Sequence, residues 1–114
     1  MITIYHNNRC GKSRAALAIL QQSGKEFKSI NYLQDVPTAA ELSAILKKLG
    51  ITAHDLIRKT EAVYIENYKG KELTEQEWIQ AMVAHPILIE RPIIVSGNRA
   101  VIARPTEKIY EILG

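Results

Sequence analysis

The fold of this chain is decided around the stretch HNNRCGKSR, residues 6–14. The residues before it, 2–5, are β-branched or aromatic, a pattern that predicts a strand. The residues after it, 15–20, are apolar, and Gly24 is a stop signal for a helix. We therefore predict a turn from a strand into a helix, with Cys10, the only cysteine of the chain, where the helix begins.

The position of Cys10 has a chemical consequence. The first turn of a helix carries unpaired backbone N–H groups and the positive end of the helix dipole. Because a thiolate is stabilised there, we expect the pKa of the Cys10 thiol to fall below about 8.5. Arg9, Lys12 and Arg14 add positive charge. The alternative is a buried cysteine that packs as a small apolar residue, but the polar neighbours of Cys10 disfavour it.

Length, charge and cysteine count narrow the class of protein. A chain of 114 residues with 46% hydrophobic content predicts one domain over residues 1–114. Without a long apolar run or a signal-peptide pattern, we expect a soluble, cytoplasmic protein and no membrane partner. A net charge of +3 with 6% aromatic residues disfavours nucleic acid and favours a small anionic ligand. A single cysteine excludes an internal disulfide and a cysteine-based metal site, so we expect no bound metal or cofactor, and redox chemistry must use a thiol from another molecule.

The rest of the chain predicts an α/β fold. Residues 27–32 form a second strand, parallel to the first across a helix. Cap patterns at Thr38, Thr52 and Thr74 predict helices, whereas residues 61–71 lack a period and are interpreted as loop or irregular helix. Two apolar runs on either side of residues 96–99 predict an antiparallel hairpin, and Thr106 is predicted to cap a last helix.

The predicted order of elements is β-α-β, a helical insertion over about residues 37–88, and then β-β-α. This is the thioredoxin/glutaredoxin-like plan, with a mixed four-stranded sheet and helices on both faces. In that plan the reactive cysteine stands at the N-terminus of the first helix, where this chain has Cys10.

Two polar residues flank the cysteine. Ser13 stands three residues after Cys10, so no disulfide can form there. Its hydroxyl either donates to the thiolate and lowers its pKa or satisfies a backbone amide of the first turn. His6 is either a charge partner of the thiolate or a structural hydrogen-bonding residue at the strand end.

Three arginines outside this stretch are candidates for binding an oxyanion. Arg91 precedes Pro92 at the start of a predicted strand, Arg104 precedes Pro105 at the end of its hairpin partner, and Arg58 ends a short predicted helix. In the predicted fold, the loop that contains Pro92 lies beside the cysteine loop. Guanidinium groups offer planar pairs of donors that suit phosphate, sulfate or arsenate. Spacing alone leaves their convergence on Cys10 open.

Four sequence blocks together resemble the glutaredoxin-coupled arsenate reductase family. They cover nearly the whole chain in order: residues 6–14 (HNNRCGKSR), 56–59 (LIRK), 85–95 (HPILIERPIIV) and 104–105 (RP). The resemblance implies a thioredoxin-like fold with Cys10 as the nucleophile. It implies that Arg58, Arg91 and Arg104 bind the oxyanion and that His6 and Ser13 lower the pKa of the cysteine.

The same resemblance implies a reaction and its partners. Cys10 attacks arsenate, glutathione acts as cosubstrate and leaves a mixed disulfide on Cys10, arsenite is released, and glutaredoxin clears the disulfide. The residues leave two alternatives open. One is a monothiol reductase of another substrate. The other is a regulator that binds RNA polymerase, although such regulators often use a Cys-x-x-Cys switch, which Ser13 precludes. The role of residues 64–73 stays open as well.

Overall fold

The computed structural model describes residues 2–7 and 9–113, apart from the side chain of Lys12, so the predicted charge of Lys12 beside the cysteine lies outside the described side chains. The chain divides into two compact units. The first comprises Met1–Asp35 and Arg91–Gly114, and the second is Val36–Glu90. The expectation of a single domain stays a prediction.

The first unit is built on a four-stranded sheet. Its strands are β1 (Ile2–His6), β2 (Phe27–Asn31), β3 (Ile93–Ser96) and β4 (Arg99–Ile102). They are ordered β2-β1-β3-β4. β1 is parallel to β2 and antiparallel to β3, which is antiparallel to β4. This mixed sheet confirms the predicted α/β, thioredoxin-like fold class.

Helices complete the first unit. Helix α1 is Gly11–Ser23 and ends at Gly24, whose φ of 75° suits glycine. A 3-10 turn at Thr106–Ile109 leads into α6 (Tyr110–Leu113). The core of this unit joins the sheet to α1 and the C-terminal turn, through the buried residues Ile2, Ile4, Ala16, Leu20, Ile94, Ala103 and Ile109.

The second unit is helical, as the cap patterns predict. It contains α2 (Ala39–Leu49), α3 (Ala53–Leu56), α4 (Ala62–Asn67), α5 (Glu75–Ala84) and a 3-10 turn at Pro86–Leu88. Full capping boxes start α2 at Thr38 and α5 at Thr74. The hydrogen bonds from Thr74 lower the pKa of Glu77. No helix in the described ranges is long and apolar enough to cross a membrane.

Several predicted boundaries need correction. Residues 61–71, interpreted as loop or irregular helix, contain the short regular helix α4. Thr106 does not cap the last helix, because Pro105 occupies the cap position and Thr106 is the first residue of the 3-10 turn. In the hairpin, β3 begins at Ile93, and the turn is only the two residues between Ser96 and Arg99.

Candidate active site at the sheet edge

The candidate site lies at one edge of the sheet in the first unit. Because β1 and β2 are parallel, their C-terminal ends, His6 and Asn31, share this edge. β3 is antiparallel to β1 and pairs Ile93 with Tyr5, so the residues just before Ile93 lie beyond the same end of β1. The turn that leads from β1 to Cys10 therefore begins at the same end of the sheet as the start of β3.

Cys10 is the N-cap residue of α1, as the sequence predicts. It is half-buried, and its backbone is extended, with φ −96° and ψ 121°. Its carbonyl accepts the first helical hydrogen bond, from Arg14 N at 3.1 Å. The sulfur is thus attached at the end of α1 where backbone N–H groups lack helical acceptors and the dipole is positive.

Asn7 organises the turn before the cysteine, a role that sequence reasoning missed. It is only 4% exposed. Its carbonyl accepts from Cys10 N at 2.9 Å, and its side-chain Oδ1 accepts from Arg9 N at 3.0 Å. An asparagine directly after a strand is a typical turn residue, and that signal was available in the sequence.

Ser13 is fully buried, and its hydroxyl faces the turn. Its Oγ accepts a hydrogen bond from Asn7 N at 3.3 Å. Of the two readings of Ser13, this contact supports satisfaction of a backbone amide, although the amide belongs to the turn and not to the helix. A hydrogen bond from Ser13 to the thiolate stays a prediction.

His6 ends β1 with its imidazole buried at 8% exposure. Its Nε2 lies 2.7 Å from Ser29 Oγ on the adjacent strand, and within the described part of the chain no hydrogen-bond partner reaches its buried Nδ1. Burial lowers the pKa of His6 below its ordinary value, which favours the neutral imidazole. These contacts favour a structural hydrogen-bonding residue over a charged partner of the thiolate.

Arg91 and Arg104 come together at this sheet edge. Ile102 at the end of β4 pairs with Ile93 at the start of β3, and Ala103 N donates to Pro92 O at 3.0 Å. Arg104 Nη1 lies 3.4 Å from the carbonyl oxygen of Arg91. Arg91 is 8% exposed and Arg104 half-buried. Pro92 is buried, and both the Arg91–Pro92 and Arg104–Pro105 peptide bonds are cis.

Arg58 belongs to the second unit, where it follows α3. A backbone bridge between Ile57 and Ile89 fixes this segment, and Arg58 N donates to Leu88 O at 2.7 Å. Its Nε lies 3.3 Å from Glu61 Oε2, and its Nη1 lies 3.8 Å from Glu90 Oε1. Glu61 stands only three residues after Arg58, whereas no local pattern in the sequence pairs Arg58 with Glu90.

Among the described residues, no cluster of three or more histidine, cysteine or carboxylate side chains is arranged to hold a metal ion. What the edge does provide is one sulfur at a helix N-terminus, with the guanidinium groups of Arg91 and Arg104 attached at the same end of the sheet. This set of groups suits nucleophilic attack on a bound anion.

The sheet order and the cysteine at the start of α1 place the chain in the thioredoxin-like class. The family model for the ArsC family matches residues 5–112. The chain therefore belongs to the ArsC family.

Individual relatives agree with this assignment. The arsenate reductase of Escherichia coli strain K12 is 41% identical over 113 residues, which are 98% of this chain and 80% of that protein. The uncharacterised protein YfgD of the same strain is 44% identical over 115 residues, 99% of this chain and 97% of that protein. A solved structure of the arsenate reductase from Vibrio cholerae superposes with a TM-score of 0.92 at 38% identity, covering 97% of this chain and 96% of that one.

Proposed function

We propose that this protein is an arsenate reductase in which the sulfur of Cys10 is the nucleophile. One structural observation carries the proposal: Cys10 is the N-cap of α1 at the sheet edge where Arg91 precedes β3 and Arg104 follows β4. Support also comes from family membership and from arsenate reductases at about 40% identity across nearly the full chain.

The proposed chemistry moves two electrons from two thiols to arsenic. The Cys10 thiolate attacks arsenic(V) and forms a sulfur–arsenic bond, while the arsenic–oxygen bond to one hydroxyl group of arsenate breaks and that hydroxyl takes up a proton from solvent and leaves as water. A glutathione thiolate then attacks the Cys10 sulfur. A sulfur–sulfur bond forms, and the sulfur–arsenic bond breaks with its electron pair left on arsenic. Arsenic(V) is thereby reduced to arsenic(III) and leaves as arsenite, while the two sulfurs are oxidised to a mixed disulfide.

The residues around Cys10 take different parts in this scheme. The helix N-terminus stabilises the thiolate before attack. Arg91 and Arg104 bind the oxyanion and balance the negative charge that builds on it. The resemblance assigns the same task to Arg58, and mutagenesis is the test of that assignment. Ser13 and His6 hold the turn and the strand end, and through them the position of the sulfur.

The single cysteine determines which partners the reaction needs. Ser13 stands where a second cysteine would resolve the disulfide, so the resolving thiol must come from outside. We propose glutathione as the cosubstrate and glutaredoxin as the protein that removes glutathione from Cys10. The cytoplasmic location expected from the sequence stays a prediction.

A coupled assay tests the proposal. Purified protein is mixed with arsenate, glutathione, glutaredoxin, glutathione reductase and NADPH, and the absorbance of NADPH is followed. We expect arsenate-dependent oxidation of NADPH that disappears in Cys10→Ser. If arsenate causes no oxidation while Cys10 still reacts with iodoacetamide, the protein is not an arsenate reductase.

A further inference from the structure

A polar cavity of about 290 Å³ lies beside the cysteine turn in the first unit. The described residues that line it are Asn7, Arg9, Asn31, Leu33 and Gln34. Two loops form it, the one that follows β1 and the one that follows β2, at the same edge of the sheet as Cys10. The volume is near the lower end of the range for small-molecule sites, roughly 300–1,000 Å³.

The same turn forms a wall of this cavity and positions the nucleophile. Asn7 and Arg9 line the cavity, and Arg9 is the residue directly before Cys10. Cys10 N donates to the carbonyl of Asn7 at 2.9 Å. A molecule in the cavity therefore contacts the residue directly before the nucleophile in the chain.

The chemistry of the lining favours a ligand with carboxylate and amide groups. Among the five lining residues that the structure describes, four have polar side chains: one guanidinium and three carboxamides. No acidic side chain is among the lining residues described. The amide oxygens of Asn7 and Asn31 accept from Arg9 N and Leu33 N, at 3.0 Å and 3.2 Å. These two oxygens are thus directed to their own loops. The exposed side chains of Arg9 and Gln34 carry N–H donors, which suit carboxylate and peptide carbonyl oxygens.

We infer that this cavity binds the carboxylate-bearing part of a small peptide thiol, the cosubstrate that attacks the Cys10 adduct. This inference rests on the proposed function. Arg9 pairs with a carboxylate of the thiol, and Gln34 hydrogen-bonds its peptide group. Such binding raises the effective concentration of the thiol beside the sulfur.

Binding is tested first, with a probe that cannot react. S-methylglutathione keeps the carboxylates and amides of the tripeptide but has no thiol. In nuclear magnetic resonance titrations of the wild-type chain, we expect the amide signals of Arg9, Leu33 and Gln34 to shift. Arg9→Gln is expected to raise the Kd of the probe about tenfold, since it removes one charge-assisted pair. Gln34→Ala is expected to raise it severalfold, and its control, Gln22→Ala, changes an exposed glutamine of α1 outside the cavity and leaves the Kd unaltered.

Kinetics then separate recognition of the thiol from the chemistry of Cys10. The ratio of kcat/KM with glutathione to kcat/KM with 2-mercaptoethanol, which has no carboxylate, should fall about tenfold in Arg9→Gln. If Arg9→Gln acts only on the electrostatics of Cys10, both kcat/KM values fall and their ratio stays constant, a result that would overturn the assignment of Arg9 to the thiol site.

The inference and the proposed function fail in distinguishable ways. If the wild-type chain binds S-methylglutathione at these residues but does not reduce arsenate, the proposed function is wrong and the thiol site stands. Two results would overturn the proposed thiol site even if the chain reduces arsenate. One is that S-methylglutathione shifts only the amide signals of other residues, and the other is that Gln34→Ala and Gln22→Ala bind it with equal affinity.

Discussion

His6 Nε2 and Ser29 Oγ lie 2.7 Å apart across the parallel pair β1 and β2. This contact ties the strand that precedes the cysteine turn to its neighbour at the level where β1 ends. Burial lowers the pKa of His6, so the hydrogen bond is made by a neutral ring at physiological pH.

The lowered pKa of His6 makes the stability of the chain depend on pH. The folded chain binds a proton at His6 less readily than the unfolded chain, whose pKa is near the ordinary 6.5. Between the two pKa values the unfolded state binds more protons, so stability rises with pH. The contribution is complete above pH 6.5 and is lost as the pH falls from 6.5 toward the folded pKa, by at most about 1.4 kcal/mol per pH unit.

Urea unfolding at pH 7.5, 6.5 and 5.5 checks this prediction. His6→Gln keeps a group that can bond Ser29 but cannot titrate, so it should lose less stability on acidification than the wild type. Ser29→Ala is the matched control, because it removes the hydrogen bond and keeps the titrating ring. Parallel pH profiles for the wild type and His6→Gln would show that His6 does not titrate differently on folding.

Cys10 is predicted to be a thiolate nucleophile because it is the N-cap residue of α1. The rate of alkylation by iodoacetamide, measured against pH, reports the thiol pKa, and the chain has no second cysteine to interfere. We expect a midpoint below the value of about 8.5 for an ordinary thiol. A midpoint at or above that value would remove the basis for nucleophilic attack near neutral pH.

Ser13 is predicted to stabilise the cysteine turn. Ser13→Ala leaves the buried N–H of Asn7 without its acceptor at 3.3 Å, and we expect a loss of about 1–3 kcal/mol in the free energy of unfolding. Ser23→Ala is the control, since Ser23 is exposed at the other end of the same helix. If the pKa of the Cys10 thiol rises in Ser13→Ala but not in Ser23→Ala, the Ser13 hydroxyl also donates a hydrogen bond to the thiolate.

The sequence predicts best what local chemistry decides. Thr38 and Thr74 each precede a glutamate by three residues, and both patterns became complete capping boxes. The strand, turn and helix around Cys10 follow from equally local signals. The hairpin of β3 and β4 is predictable for the same reason. Because the hairpin pairs Ile93 with Ile102, it also brings Arg91 and Arg104 close together.

What the sequence could not predict depends on contacts between distant residues. Helix α4 has no clear period, and its buried Tyr64 meets the rings of His54 and Trp78, at centroid distances of 6.3 Å each. The ion pair between Arg58 and Glu90 arises from a bridge between Ile57 and Ile89. The cavity beside Cys10 needs two loops from different strands. No local pattern in the sequence encodes any of these.

Arg91 and Arg104 are predicted to bind the oxyanion through paired donors, which lysine does not provide. Arg104→Lys should therefore raise the KM for arsenate about tenfold, the loss expected for one charge-assisted contact. Arg91→Lys should act in the same direction. Lysine is chosen over alanine for Arg91 because this residue is only 8% exposed, and removal of its side chain would disturb packing.

Steady-state kinetics with arsenate, at saturating glutathione, measure the effect of these substitutions. Arg99→Lys serves as the control, since Arg99 is exposed at the opposite end of β4. Unchanged KM values in Arg91→Lys and Arg104→Lys, together with normal alkylation of Cys10, would show that neither guanidinium group binds the oxyanion.

Arg58 shares its guanidinium between Glu61 and Glu90, at 3.3 Å and 3.8 Å. The two carboxylates offset part of the positive charge of Arg58. If Arg58 binds the oxyanion, they therefore compete with it for the guanidinium group. Glu61→Gln is then expected to lower the KM for arsenate about two- to fivefold, the size of a partly exposed ion pair. The gain should shrink as salt is added, because salt screens the same charges.

Glu66→Gln is the matched control for Glu61→Gln, since it neutralises an exposed glutamate of α4. Both variants change the net charge of the chain by the same amount, so an effect on overall attraction of the anion appears in both. A lower KM in Glu61→Gln alone assigns the oxyanion to Arg58. Equal KM values in the two variants would remove Arg58 from the oxyanion site and leave its ion pairs with Glu61 and Glu90 as structural contacts of the helical unit.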